Sequence, residues 1–198
     1  MKHRASFTFV SFPAALPIKR LLLLLVLASP VMATEQAFPP SPIGAPELKT
    51  LPAGLLLKAS APGNYFDHSN RLFGPLFRYI SSHEIAMTTP VEAKIDGAAM
   101  FFWVAESQRA KVAGSTGGVE VVEIPERWVA SLADRGSYSA RNFSKTRDQL
   151  LAWLSQRKDV EAAGSPYAVY WNGPFTPGFL KRFEVHVPVR PAGPGQSQ

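Results

Sequence analysis

The chain contains no cysteine. That absence excludes a disulfide framework, a thiolate zinc site, an iron–sulfur cluster, a cysteine nucleophile and a cysteine-linked lipid. Histidine is also scarce, and no two of His68, His83 and His186 stand three or four residues apart, the spacing at which one helix would offer a metal pair. Paired carboxylates are missing as well. Glu120 and Glu123 fall on opposite faces of one strand, Asp134 and Asp159 flank turns, and there is no Gly-x-Ser-x-Gly elbow. No apolar stretch reaches the ~20 residues of a membrane-crossing helix. Together these absences argue against a hydrolase, a metalloenzyme and a permanent membrane span.

What is present is a chain of 198 residues with a net charge of +6, long enough to bury a core without staples. The positive balance points toward polyanions until the charges are located. Four of the 21 bases, Lys2, Arg4, Lys19 and Arg20, lie in residues 1–33, and none of the 15 acids does. The remainder carries only +2, which leaves no global electrostatic case for nucleic acid. Within 1–33 the bases precede an unbroken run from Leu21 to Ala28, and Val31-Met32-Ala33 follows. Positive, apolar and small-residue segments in that order are the pattern of a secretory signal. The expectation is therefore a signal peptide over 1–33 and a periplasmic or secreted mature protein.

Residues 34–51, with Pro39, Pro40, Pro42 and Pro46, read as a Pro-rich linker, and 191–198 read as a disordered tail. The folded body is then 52–190. A strand is expected at Leu55–Ala59. A helix follows over Tyr65–Ile80, with Leu72, Phe73, Leu76, Phe77 and Ile80 as its buried stripe and Pro75 as a kink or break. Strands at Ile85–Ile95 and Ala99–Ala105 flank the hairpin signal Asp96-Gly97, and Pro90 makes the first an edge or a bulge. Gly114–Gly118 is a flexible loop. Strands at Val119–Ile124 and Arg127–Ala133, a helix over Phe143–Gln156 capped by Ser144, and strands at Tyr167–Trp171 and Phe183–Val189 complete the body. The order is one βαββ unit used twice. It predicts an α+β domain whose curved antiparallel sheet, or distorted barrel, carries both helices.

One loop stands out. In Gly173-Pro174-Phe175-Thr176-Pro177-Gly178-Phe179 two aromatic rings stand in a Pro/Gly frame, with Lys181 and Arg182 directly after. Aromatic rings beside cations suit a flat amphipathic ligand that carries carboxylates. Composition alone favours the plainer alternative, in which the phenylalanines cap the core beside solvated bases.

The run Tyr79-Ile80, then Ile85-Ala86-Met87-Thr88-Thr89-Pro90-Val91, resembles the hallmark of the SOUL haem-binding family. Phe73 and Leu76 match the aromatic and Leu of that family's first helix. Tyr170 through Pro174, Phe179-Leu180-Lys181-Arg182 and Glu184-Val185 resemble its closing motif, although Phe183 stands where the family usually has Asn. The resemblance implies a two-repeat α+β fold and non-catalytic binding of haem or a related tetrapyrrole by an exported carrier or buffer. The implied groove is lined by Leu76, Phe77, Ile80, Met87, Phe175 and Phe179, with Lys181 and Arg182 toward the propionates. It does not choose among His68, His83 and His186 for the iron; His68, near the buried stripe, and His186, on a strand face shared with Glu184, are the candidates carried forward. The alternatives are a binding module for another small apolar or cationic ligand, and a hydrolase using Glu184 or Glu123.

Overall fold

The computed structural model describes residues 35–193. The expected signal segment 1–33 and the end of the tail, 194–198, lie outside the described residues.

The first helix, α1, spans Tyr65–Ser82. Asn64 caps it by accepting the Phe66 N–H at 3.0 Å on its side-chain oxygen. Tyr65, Leu72, Leu76, Tyr79 and Ile80 are its buried residues, at helical spacing. The helix runs through Pro75 as one element rather than breaking there. Leu72 on one side of the proline and Leu76, Tyr79 and Ile80 on the other all enter the same core, so packing holds both halves in line. The second helix, α2, spans Ala140–Leu154. It starts about one turn earlier than expected, because Ser139, not Ser144, accepts the Asn142 N–H. Phe143, Thr146, Leu150 and Leu154 form its buried side.

The strands are β1 (Glu35–Gln36), β2 (Glu47–Leu51), β3 (Gly54–Ser60), β4 (Thr88–Thr89), β5 (Val91–Lys94), β6 (Ala99–Val104), β7 (Glu120–Ile124), β8 (Arg127–Arg135), β9 (Val160–Ala162), β10 (Tyr167–Tyr170) and β11 (Arg182–Pro191). The main sheet has the order β2-β8-β11-β10-β5-β6-β3-β7, with β9 continuing along the far end of β11. Its pairings are antiparallel throughout. The expected Asp96-Gly97 hairpin joins β5 to β6, and Gly97 takes the positive φ of 69° that such a turn requires. Pro90 does interrupt the strand, between β4 and β5. Yet β5 is interior, paired with β10 on one side and β6 on the other.

The repeat is present, with an exchange the sequence did not reveal. Strand β3 precedes α1 and β8 precedes α2, and the two halves meet where β5 pairs with β10. The outermost strand of each half comes from the other: β2 pairs with β8, and β7 pairs with β3. Residues 47–51 are therefore a strand of the domain, which corrects the expectation of a linker through Leu51. The exchange also fixes the curvature. In a flat sheet β2 and β3 would lie six strand spacings apart, roughly 29 Å. Only Pro52 and Ala53 separate them, so the Cα atoms of Leu51 and Gly54 are at most about 11 Å apart. The sheet must curl strongly enough to bring β2 back beside β3.

Alternation divides the sheet into two faces. Leu55, Leu57, Met100, Phe102, Ala168, Phe183, Val185 and Val187 face the helices and form the larger core. Leu51, Leu56, Trp103, Val129, Tyr167, Val169 and Trp171 face the opposite side, together with Phe38 from the N-terminal strap. No described helix is long and apolar enough to cross a membrane.

Candidate functional site

Three places hold side chains with chemistry to offer. The first lies on the strap side of the sheet. Glu184 and His186 alternate along β11, as the sequence indicates, and both are fully buried. The His186 Nε2–H donates to Glu184 Oε2 at 2.8 Å. The carboxylate also accepts from the Ser41 N–H at 2.8 Å, the Ser131 hydroxyl at 3.1 Å and Lys49 Nζ at 3.1 Å. Burial alone would raise the Glu184 pKa. The His186 hydrogen bond, Lys49 and the Ser41 N–H outweigh it and hold the carboxyl well below its ordinary value. Burial pushes His186 the other way, toward the neutral ring. Its Nδ1 is 3.3 Å from the Tyr167 hydroxyl, so both ring nitrogens are engaged. Nearby, Glu92 accepts from the Trp103 indole N–H at 2.9 Å and pairs with Arg127 at 2.5 Å. The Phe38 ring closes this side, edge-on to Trp103 and Trp171 at 5.6 Å each. His186 thus presents no free nitrogen and no exposed surface to a ligand, which corrects its place among the iron-ligand candidates.

The second place is the loop before β11. Phe175 is 98% exposed and Phe179 76%. Lys181 Nζ stands 4.8 Å over the Tyr138 ring, and Tyr138 stacks on Tyr170 at 4.1 Å. The Tyr138 hydroxyl donates to the Arg182 carbonyl at 3.0 Å and accepts the Asn172 N–H at 2.8 Å, so it ties both ends of the loop to the segment before α2. Arg182 does not face outward beside Lys181 as expected. Its guanidinium donates to the Ser41 carbonyl, and its Nε lies 4.0 Å from Glu184. The alternation of β11 carries Arg182 and Glu184 to the same side.

The third place is a shallow cavity, widely open to solvent, of about 600 Å3 between the C-terminal end of α1 and the loop before β7. Pro75, Phe77 and Val119 supply its apolar wall, with Arg78 and His83 at its margin. Phe77 is half exposed and stacks on Phe73 at 5.6 Å. Arg78 makes no ion pair among the described residues. The opposite wall is pinned by the Tyr79 hydroxyl, which donates to the Gly114 carbonyl at 2.8 Å and accepts the Ala113 N–H at 3.1 Å.

The expected groove is therefore divided. Leu76 and Ile80 are buried in the helix–sheet core and line no opening. Met87 is half-buried and packs against that core. Phe77 belongs to the cavity, whereas Phe175 and Phe179 belong to the loop held by Tyr138. Tyr138 and Tyr170 reach α1 near Tyr65, whose ring is 5.9 Å from that of Tyr170. Tyr65 and Phe77 are twelve residues apart on one helix, ~18 Å at 1.5 Å per residue. His68 lies near the N-terminal end of α1 beside Gly63, away from the cavity. The residue that sequence reasoning did not select is His83, which stands at the cavity's edge.

Among curated proteins no sequence match is found. Solved structures share the fold. The C-terminal domain of EcmrR superposes with a TM-score of 0.58 at 15% identity, covering 74% of this chain and 97% of that one. EcmrR in its DNA complex gives 0.59 at 14% identity, and there the match spans 74% of this chain but only 57% of the longer protein. A hydrolase from Listeria innocua gives 0.52 at 12% identity, over 76% of this chain and 94% of that one. At such identities the likeness is one of architecture. The sequence itself matches the SOUL heme-binding protein family over residues 44–188, from just before β2 to β11, and the chain belongs to that family.

Proposed function

We infer that the protein binds haem or a related tetrapyrrole without chemically transforming it, and acts as a carrier or buffer on the far side of the exporting membrane. The observation that carries this reading is the cavity at the end of α1. Its volume of about 600 Å3 falls within the roughly 300–1,000 Å3 of small-molecule sites. Phe77, Pro75 and Val119 give it an apolar wall for a flat ring system, and Arg78, which makes no ion pair among the described residues, offers a guanidinium to a propionate. Histidine, the commonest protein ligand of haem iron, is present at its edge as His83. The residues fit the group. Family membership and the predicted secretory signal supply the remaining support, the latter for the location alone.

The test is a haemin titration of the full chain, followed by Soret absorbance, with Phe77→Asp and Phe175→Ser in parallel. Phe77 and Phe175 are both at the surface, so neither change empties the core. A saturable red-shifted band that weakens roughly tenfold or more with Phe77→Asp and is unaltered by Phe175→Ser is the expected result. No band shift at micromolar protein would end the haem reading. Loss with Phe175→Ser alone would move the site to the loop.

A further inference from the structure

We propose that His83 is the axial ligand of the haem iron, presented by a helix end built to hold its ring. The proposal rests on the haem reading above and adds to it the iron-binding atom, Nε2 of His83.

Helix α1 ends in a Schellman arrangement. The Ile85 N–H donates to the Ile80 carbonyl at 2.9 Å, the Glu84 N–H points to the Ser81 carbonyl at 3.4 Å, and Ile80 and Ile85 are both buried. The position after the cap normally holds glycine, because the chain there must turn with positive φ. Here it holds Glu84, at φ 53°. Backbone held in that region by a residue with a Cβ carries a cost, and such positions gather at functional sites. The turn fixes the residue just before it, His83.

The ring of His83 is held twice. It stacks on Tyr79 with centroids 4.3 Å apart and planes 24° from parallel. Its Nδ1 lies 2.8 Å from the Tyr79 carbonyl oxygen. A carbonyl oxygen only accepts, so the hydrogen sits on Nδ1. The lone pair of the neutral ring is then on Nε2, which has no hydrogen-bond partner among the described residues. A histidine that donates one ring nitrogen to a backbone carbonyl and keeps the other free is the usual arrangement of a metal-binding imidazole, since the carbonyl fixes both tautomer and orientation. Tyr79, on which the ring lies, is itself immobilised through its hydroxyl on Gly114 and Ala113.

The other described histidines lack this combination. His186 is sealed with both nitrogens engaged. His68 stands beside Gly63, away from the cavity. Only His83 among them has a fixed tautomer, an unengaged nitrogen and a place on the cavity wall.

The test compares the full-length wild type with His83→Ala and His83→Asn against two probes: haemin, which contains iron, and metal-free protoporphyrin IX, which has the same ring and propionates. In His83→Asn the side-chain amide can still donate to the Tyr79 carbonyl but offers iron no imidazole, so this variant serves if the alanine variant folds poorly. Haemin affinity should fall tenfold or more and the Soret band should move in both variants, while protoporphyrin affinity stays within twofold. Free imidazole should restore the wild-type band to His83→Ala. If the wild type binds haemin and the variants bind it with the same spectrum and affinity, His83 is not the ligand although the haem reading stands. Equal losses for both probes would make His83 a wall residue only, again overturning the proposal. Absence of haemin binding by the wild type would instead remove the haem reading itself.

Discussion

Replacing Lys49 by methionine isolates the energetics of the strap side. Methionine keeps an unbranched side chain of similar length and removes the charge, which stands 5.1 Å over the Phe38 ring. Three hydrogen-bonding contacts of Nζ disappear with that cation–π contact: to Glu184 at 3.1 Å, to the Ser41 hydroxyl at 2.8 Å and to the Pro39 carbonyl at 3.1 Å. Glu184 stays wholly inaccessible and keeps only the more distant Arg182, whose Nε is 4.0 Å away, as a full cation. Breaking a buried pair from one side typically costs 3–5 kcal/mol. Here Lys49 keeps some solvent contact, and Ser41, Ser131 and His186 still donate to the carboxylate, so the cost should sit at the low end, about 3 kcal/mol. For a domain of this size that is a fall in Tm of about 6–12 °C. Denaturant unfolding of Lys49→Met, Glu184→Gln and the double variant measures it. The double variant should recover more than half the loss, because no buried carboxylate is left without its ammonium, and Arg182 keeps the Ser41 carbonyl. The difference between wild type and Lys49→Met should also narrow in acid, as Glu184 takes up a proton. A Lys49→Met protein within about 0.5 kcal/mol of wild type at neutral pH would refute the reasoning.

Acid should destabilise the wild type from two sources of one sign. Both the Glu184 and the His186 pKa lie below their unfolded values, so each contributes stability above its unfolded pKa that is lost as pH falls toward the folded one. His186 acts first, below about pH 6.5, with a slope of up to ~1.4 kcal/mol per pH unit; unfolding free energies that stay flat from about pH 7 to 5 would contradict its neutral burial. Glu84→Gly relieves the positive φ at the end of α1 and should raise stability by up to about 1 kcal/mol, read as a higher denaturation midpoint; a loss would mean that the side chain contributes something the backbone does not show. The Tyr170 hydroxyl is buried without a partner among the described residues, so Tyr170→Phe should be neutral or stabilising by about 1 kcal/mol in the same assay. Phe175→Ser should leave the midpoint unchanged, as an exposed side chain predicts.

Much of this architecture is legible in the sequence because it is written in local periodicities. The Leu72, Leu76, Ile80 stripe, the Asp96-Gly97 turn and the alternation of β11 each depend on neighbours a few residues away. What is not legible depends on partners far along the chain. Glu47–Leu51 is too short and too hemmed by prolines to read as a strand, and its partner β8 lies some eighty residues downstream. The alternation of Glu184 and His186 puts them on one face, but nothing local indicates that Lys49, 135 residues earlier, completes the cluster. Leu76 and Phe77 belong to one apolar pattern, and only the third dimension separates a core residue from a cavity wall. At His83 a faint signal exists in the flanking Ile80 and Ile85, which match the apolar pair of a Schellman end. Glutamate where glycine is customary conceals it.

The exchanged outer strands bear on the order in which the molecule can assemble. During synthesis β2 emerges early but has nowhere to dock until β8 has been made, and β8 in turn is flanked on its other side by β11, the last of the described strands. The first half can form its hairpin and lay down α1, yet it waits with one margin of β5 unpaired until β10 arrives. Completion of the curled sheet is thus deferred until β11 is available. Such long-range pairing is slow and leaves strand edges uncovered in the meantime. Truncation even a few residues into β11 should therefore yield an open, self-associating product, and not a slightly shorter version of the same domain.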